Sequence, residues 1–173
     1  MTPFAEWLST TAPSVYIQTH NSWFIPIVQS IHIVGIALIL GAVFMISLRI
    51  LGWAGADQTL AQTTARFGPW VTGSLCLLLV TGLLMVIGEP VRELITFSFW
   101  AKMALVALCT VIAVVFLRSV RKHPQQWEET LIHRRSVHGM TILIFLIWAS
   151  IIILGRLIAY DHVWGPWSPA TKA

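Results

Sequence analysis

Charge is scarce in this chain: Asp, Glu, Lys and Arg together make up 10% of the 173 residues, against 57% hydrophobic. A soluble domain carries roughly 25% charged residues. Too little polar surface exists to coat a soluble fold, and the same apolar excess excludes a disordered chain. Cysteine is scarce as well. Cys76 and Cys109 both lie inside apolar runs and give no disulfide framework. They read as small core residues, since a thiolate metal site needs more ligands than two. No glycine-rich phosphate loop, Ser/His/Asp pattern or pair of carboxylates inside an apolar run occurs, so hydrolase and nucleotide chemistry have nothing to stand on. Met45, Met85, Met103 and Met140 form no spaced motif, which gives copper transfer through thioethers little support. The N-terminus, Met1-Thr2-Pro3-Phe4-Ala5-Glu6, has no basic stretch leading into an apolar core. No cleavable signal peptide is expected, and the first span must direct its own insertion.

What the sequence does contain is four long apolar runs, at about 23–50, 69–88, 97–118 and 137–159, with a mean hydropathy of +0.79 over the chain. Each can cross a hydrocarbon layer of about 30 Å at about 1.5 Å per residue. Helices are required, because lipid offers no partner to an open backbone, and no alternating ten-residue pattern suggests a barrel. The expected fold is all-α: one transmembrane domain over residues 1–173, an integral membrane four-helix bundle with a short N-terminal interfacial helix. For that helix, Thr2 can cap and Pro3 can occupy the first position. Phe4, Trp7, Leu8 and Thr11 then share a face until Pro13 stops the run. After Pro124, the polar stretch 125–136 should form a helix leading into the fourth span. Nine Trp residues suit a membrane interface, with Tyr160, Trp164 and Trp167 in an outer belt. Ala37 with Gly41, and Gly155 with Ala159, have the spacing that lets helices approach closely, within the bundle or in an expected homo-oligomer.

The formal charge of +4 reads as a topology signal and not as a nucleic-acid footprint. The first and third loops with adjoining helix ends hold Arg49, Arg66, Arg118, Arg121, Lys122, Arg134 and Arg135, against Arg92, Lys102, Arg156 and Lys172 on the other side. The richer side faces the cytoplasm, so both termini face outward from a bacterial inner membrane.

Ionisable residues inside spans carry the functional signal, because lipid makes them costly. His32 lies about nine residues inside the outer end of the first span, about 13 Å deep. Lys102 and Arg156 lie near the outer ends of the third and fourth spans. No span holds an acid to pair with these two cations, and the nearest acids, Glu89, Glu93 and Asp161, stand at the rim. Snorkelling to water or lipid phosphate is one resolution. The other is an anionic ligand in the outer half, such as haem propionates or a carboxylate substrate. His32 suits an axial ligand to haem iron, the bland reading being a core histidine bonded to a neighbouring carbonyl or serine. His138 and Arg49 lie in the inner half, and His20 and His162 flank the bundle on the outer surface. His32 and His138 are separated by roughly 20 Å along the membrane normal, so they belong to two sites or only one of them is a ligand.

The stretch His32-Ile33-Val34-Gly35, then Gly41, then Arg49, resembles the first helix of the haem-binding four-helix protoporphyrinogen oxidase of bacteria. Phe99-Trp100-Ala101-Lys102-Met103-Ala104-Leu105 resembles a later helix of that family, where a Trp precedes a Lys and an aliphatic run. The same general pattern is similar to the membrane domain of copper resistance protein D. The whole chain resembles a group of uncharacterised bacterial four-helix membrane proteins whose first span ends in a run like Arg49-Ile50-Leu51-Gly52. The oxidase resemblance covers two short patches and implies a haem ligand at His32 and a functional Lys102.

These readings lead to a b-type haem protein of the inner membrane, engaged in electron transfer or haem-dependent redox chemistry. His32 is the expected axial ligand, with Lys102 and Arg156 neutralising propionates. His138 and Arg49 would serve a second haem and metal site, or else membrane-surface contacts, and a membrane quinone or a redox protein would be the partner. The alternatives are copper or another transition metal gathered by the outer His20, His32 and His162, and a non-catalytic membrane anchor for a partner protein with a basic cytoplasmic face.

Overall fold

The computed structural model of the chain describes residues 2–55, 57–133 and 135–157, excluding the side chains of 2 and 132–138. The order is α1 (Thr2–Ser9), α2 (Ala12–Thr19), α3 (Asn21–Ile50), α4 (Leu60–Gly88), α5 (Pro90–Leu94), α6 (Phe97–Lys122), α7 (Pro124–His133) and α8 (Arg135–Leu157), with no strand among the described residues. Helices α3, α4, α6 and α8 are long and apolar enough to cross a membrane. At most 28% of the most apolar stretch of any of them is buried inside the protein. A soluble core helix buries far more than this, so most of the apolar surface faces lipid. The chain is an all-α, multi-pass membrane protein.

The ends of the helices follow local chemistry more closely than hydropathy. α4 begins at Leu60, well ahead of the apolar run starting at 69, because Thr59 and Gln62 form a reciprocal capping box. α3 closes in a Schellman turn: Trp53 N–H bonds Leu48 O at 3.0 Å, and Gly52 N–H bonds Arg49 O at 3.2 Å. Gly52 takes the left-handed φ of 71° that such a turn demands. Pro13 does not simply end the N-terminal helix. α1 stops at Ser9, and Pro13 sits in the first turn of a second helix that begins after Thr11, whose hydroxyl turns back to Leu8 O without capping it, and there the missing N–H of Pro13 costs nothing. The polar stretch after Pro124 is helical as expected, as α7.

α3 and α4 form the most extensive helix pair, followed by α6 and α8, with sparser contact between the two pairs. The α3–α4 approach runs over Gly35, where an added Cβ would lie 3.1 Å from Leu78 Cδ2. Ala37 and Gly41 are exposed, and nothing lies within 4 Å of a Cβ built on Gly41. The glycine and alanine buried in packing on α3 are therefore Gly35 and Ala42, not the pair marked by spacing. Cys109 is buried in the core with Ile39, Ile46, Val71 and Trp148, whereas Cys76 is exposed and is not a core residue.

The N-terminal helices close one end of the bundle. Ala5 of α1 is buried with Leu94 and Phe99, and Ser14 Oγ of α2 donates to Ile87 O at 2.6 Å. Gly88 makes this docking possible, since a Cβ there would stand 2.7 Å from Ile25 Cδ1 and 2.8 Å from Ile17 Cγ2. Gly88→Val should cost about 1–3 kcal/mol through overpacking and lower the melting temperature in detergent. Gly41→Val, with open space around it, should leave that temperature nearly unchanged. Equal melting of the two variants would contradict this account of the cap.

Candidate functional site

His32 stands in the N-terminal half of α3 and is half-buried. Its Nδ1 lies 2.7 Å from Thr81 Oγ1 on α4. The Thr81 hydroxyl spends its one proton on Leu77 O, at 2.8 Å. With its proton given there it accepts from the imidazole, and in that tautomer the ring proton sits on Nδ1 and the Nε2 lone pair is unshared. No hydrogen bond to Nε2 occurs among the described residues. Gly82 sits against the ring, with His32 Cε1 at 3.7 Å from its would-be Cβ. Sequence reasoning picked out His32 but missed Thr81, although 49 residues of separation leave no local pattern to find it by.

Lys102, in the second turn of α6, is half-buried, with its Nζ 5.5 Å from the centre of the Phe99 ring, a cation–π distance. Its stem runs along α8, where Cδ lies 3.7 Å from the Cβ position of Gly155. Its charge reaches both His32 and Glu93. The sequence places Glu93 at the rim, but the short helix α5 turns it inward, so that it is 9% exposed. Burial raises the Glu93 carboxyl above its ordinary range, against the opposing pull of Lys102 and Arg92. Arg92 in turn pairs with Glu89 at 2.6 Å. Lys102 is thus accompanied by an acid that the arrangement of spans alone does not supply. Arg156 is exposed in the last turn of α8, next to Gly155.

The other sequence candidates lie apart from His32. His20 caps the start of α3, its Nδ1 at 2.9 Å from Tyr16 O and its ring 4.6 Å from that of Tyr16. Twelve residues of helix put it about 18 Å from His32 along the axis. Arg49 is at the far end of α3, with Nη2 2.8 Å from Glu128 Oε2 and Nε donating to Gln58 O at 2.5 Å. The backbone of His138 belongs to α8, but its side chain and the whole of His162 lie outside the described residues. Among the described residues no group of three or more His, Cys, Asp or Glu could hold a metal ion. The half of the bundle away from His32 contains a cavity of about 520 Å³, lined from all four spanning helices and by Trp127 of α7.

Residues 4–161, most of the chain, match one family. The chain belongs to a family of unknown function, DUF6644. No curated protein and no solved structure matches it. The match carries no function of its own, and the four spans are read from the structure. The likeness to haem and copper proteins rests on the residues quoted for it.

Proposed function

We propose that this DUF6644 chain is a b-type haem protein of the bacterial inner membrane, with both termini outside, and that His32 Nε2 supplies an axial ligand to the iron. The carrying observation is the His32–Thr81–Leu77 hydrogen-bond chain, which orients the imidazole within an apolar helix and lets Nε2 offer a lone pair when Thr81 gives its proton to Leu77 O. Ligating histidines characteristically give their other N–H to an acceptor that fixes tautomer and ring orientation. A half-buried imidazole within a membrane span is costly unless it is used. Haem fits the opposite side of the site as well: Lys102 offers a cation to a propionate, and Arg156 stands one residue beyond the Gly155 that Lys102 packs on. The seam between the α3–α4 and α6–α8 pairs, where packing is sparser, is where a flat ligand would displace least. The chain's own part is then to hold iron in an apolar site and to set its potential through ligand, charge and burial. Electron exchange with a membrane partner follows as its task.

The test is an absorption spectrum of the protein purified in detergent after expression with ample haem, with and without dithionite. A Soret band that shifts on reduction is expected, and its absence overturns the proposal. Thr81→Val keeps the ligand but removes the acceptor for Nδ1–H, so haem affinity should fall about 10–100-fold. An unchanged affinity would remove the relay from the argument.

A further inference from the structure

The cavity in the other half of the bundle has an unusual lining. It is apolar except for a few short side chains, among them Ser47 of α3 and Cys109 of α6. Ser47 is 4% and Cys109 5% exposed, and neither side chain makes a hydrogen bond among the described residues. No fully buried polar side-chain atom among the described residues lacks a partner, so the Ser47 hydroxyl keeps its access on the cavity side, where a ligand can bond it. A third group, the Ser119 hydroxyl, accepts from Trp127 Nε1 at 2.9 Å and keeps its own proton to give. The cavity thus presents the Ser47 and Ser119 hydroxyls and a thiol, with Thr141 beside them, in an otherwise oily volume of about 520 Å³. Its lining includes Val111 and Val115 of α6 and Met140 of α8, which are 60%, 61% and 55% exposed. Its mouth therefore opens sideways between α6 and α8, toward lipid and not toward water.

We infer that this cavity binds a membrane quinone, whose ring carbonyls accept from Ser47 and Ser119 while the ring and first tail units fill the apolar space. A lipid acyl chain fits an oily slot equally well but has nothing for the hydroxyls to bond. A polar metabolite would use them but could not enter from lipid. A quinone meets both requirements, and in its reduced form the same hydroxyls can accept from its O–H groups. The first lining residue on α3, Ile39, lies seven residues from His32. That is the same face of the helix, about 10 Å away along the axis. Binding stands on the cavity alone; only electron exchange between the quinone and the His32 site rests on the haem reading.

The experiment titrates the full chain in detergent with a short-tailed benzoquinone and follows tryptophan fluorescence, since Trp127 and Trp148 line the cavity. Saturable quenching is expected. Ser47→Ala should weaken it about three- to tenfold, the range for one lost neutral hydrogen bond. Cys109→Phe, which fills the space, should abolish it. Should Cys109→Phe fail to fold, as judged by circular dichroism and gel filtration, Ser47→Ala decides alone. Non-saturable quenching, equal in Ser47→Ala, means partition into the micelle and overturns the inference. Full displacement by an alkane of the same tail length means an acyl-chain slot and also overturns it. A chain that lacks a Soret band yet shows saturable quenching would refute the haem reading and leave the quinone site standing.

Discussion

Replacing His32 with alanine should abolish the Soret band while leaving helix content and gel-filtration behaviour intact. The substitution removes a half-buried ring whose one fixed contact is the 2.7 Å hydrogen bond to Thr81. Thr81 loses nothing essential, because its hydroxyl still donates to Leu77 O. No buried donor or acceptor is orphaned, so the structural cost should stay near the cavity term for a partly exposed side chain, about 1–2 kcal/mol. Loss of the iron ligand is a larger effect. Removal of partners in the second shell alone costs 10–100-fold in metal affinity, so removal of the ligand itself should cost at least about 100-fold. His32→Gln sharpens the comparison. Glutamine can still donate to Thr81, but its amide is no substitute for an imidazole toward iron. Both variants should therefore lose haem, and His32→Gln should melt closer to the wild type than His32→Ala. A band that survives in both variants would assign the iron to another residue.

The sequence makes the four spans legible because hydropathy reports lipid exposure, and lipid exposure is what most of these residues experience. It reports neither helix ends nor packing faces. The start of α4 was hidden because Thr59 and Gln62 are polar residues that work through hydrogen bonds to the backbone. The packing face of α3 was hidden because the helix is apolar all round; of its two glycines, Gly35 meets a neighbour and Gly41 does not, and the buried alanine is Ala42, not Ala37. In water a buried face is the apolar one, whereas in lipid both faces are, and the discriminating signal disappears. The ionisable site was half legible. His32 and Lys102 stand out as intruders in oil, but their companions do not. Thr81 is an ordinary residue for a membrane helix, and Glu93 reaches the interior only because Pro90 opens a short helix that tucks it inward.

At the other end of the bundle, Glu128→Ala should lower the melting temperature markedly. Glu128 holds two partners at once, which sets the size of the effect and not a rank above core substitutions such as Cys109→Phe: Oε2 pairs with Arg49 Nη2 at 2.8 Å, and Oε1 accepts from the backbone N–H of Leu60. Leu60 is the first residue of α4, so the carboxylate meets both an orphan donor and the positive end of the helix dipole. It thereby ties α7 to the start of α4 and the end of α3. Breaking a fully buried pair costs 3–5 kcal/mol. With side chains 14% and 30% exposed, about 2–3 kcal/mol is expected for Glu128→Ala, most of it from Arg49 left half-buried without its counter-charge. Arg49→Ala should cost less, since Glu128 keeps the Leu60 N–H. The double variant should be less destabilised than the sum of the singles by about 1–2 kcal/mol, whereas strict additivity would mean that the pair contributes nothing. The same variants separate structure from cofactor binding. Arg49 is a sequence candidate for a second haem in this half of the membrane. Arg49→Ala with a lowered melting point and an unaltered spectrum would assign it to the latch with Glu128. A changed Soret band in Arg49→Ala but not in Glu128→Ala would assign it to a cofactor instead, because only Arg49 would then be lost to both roles.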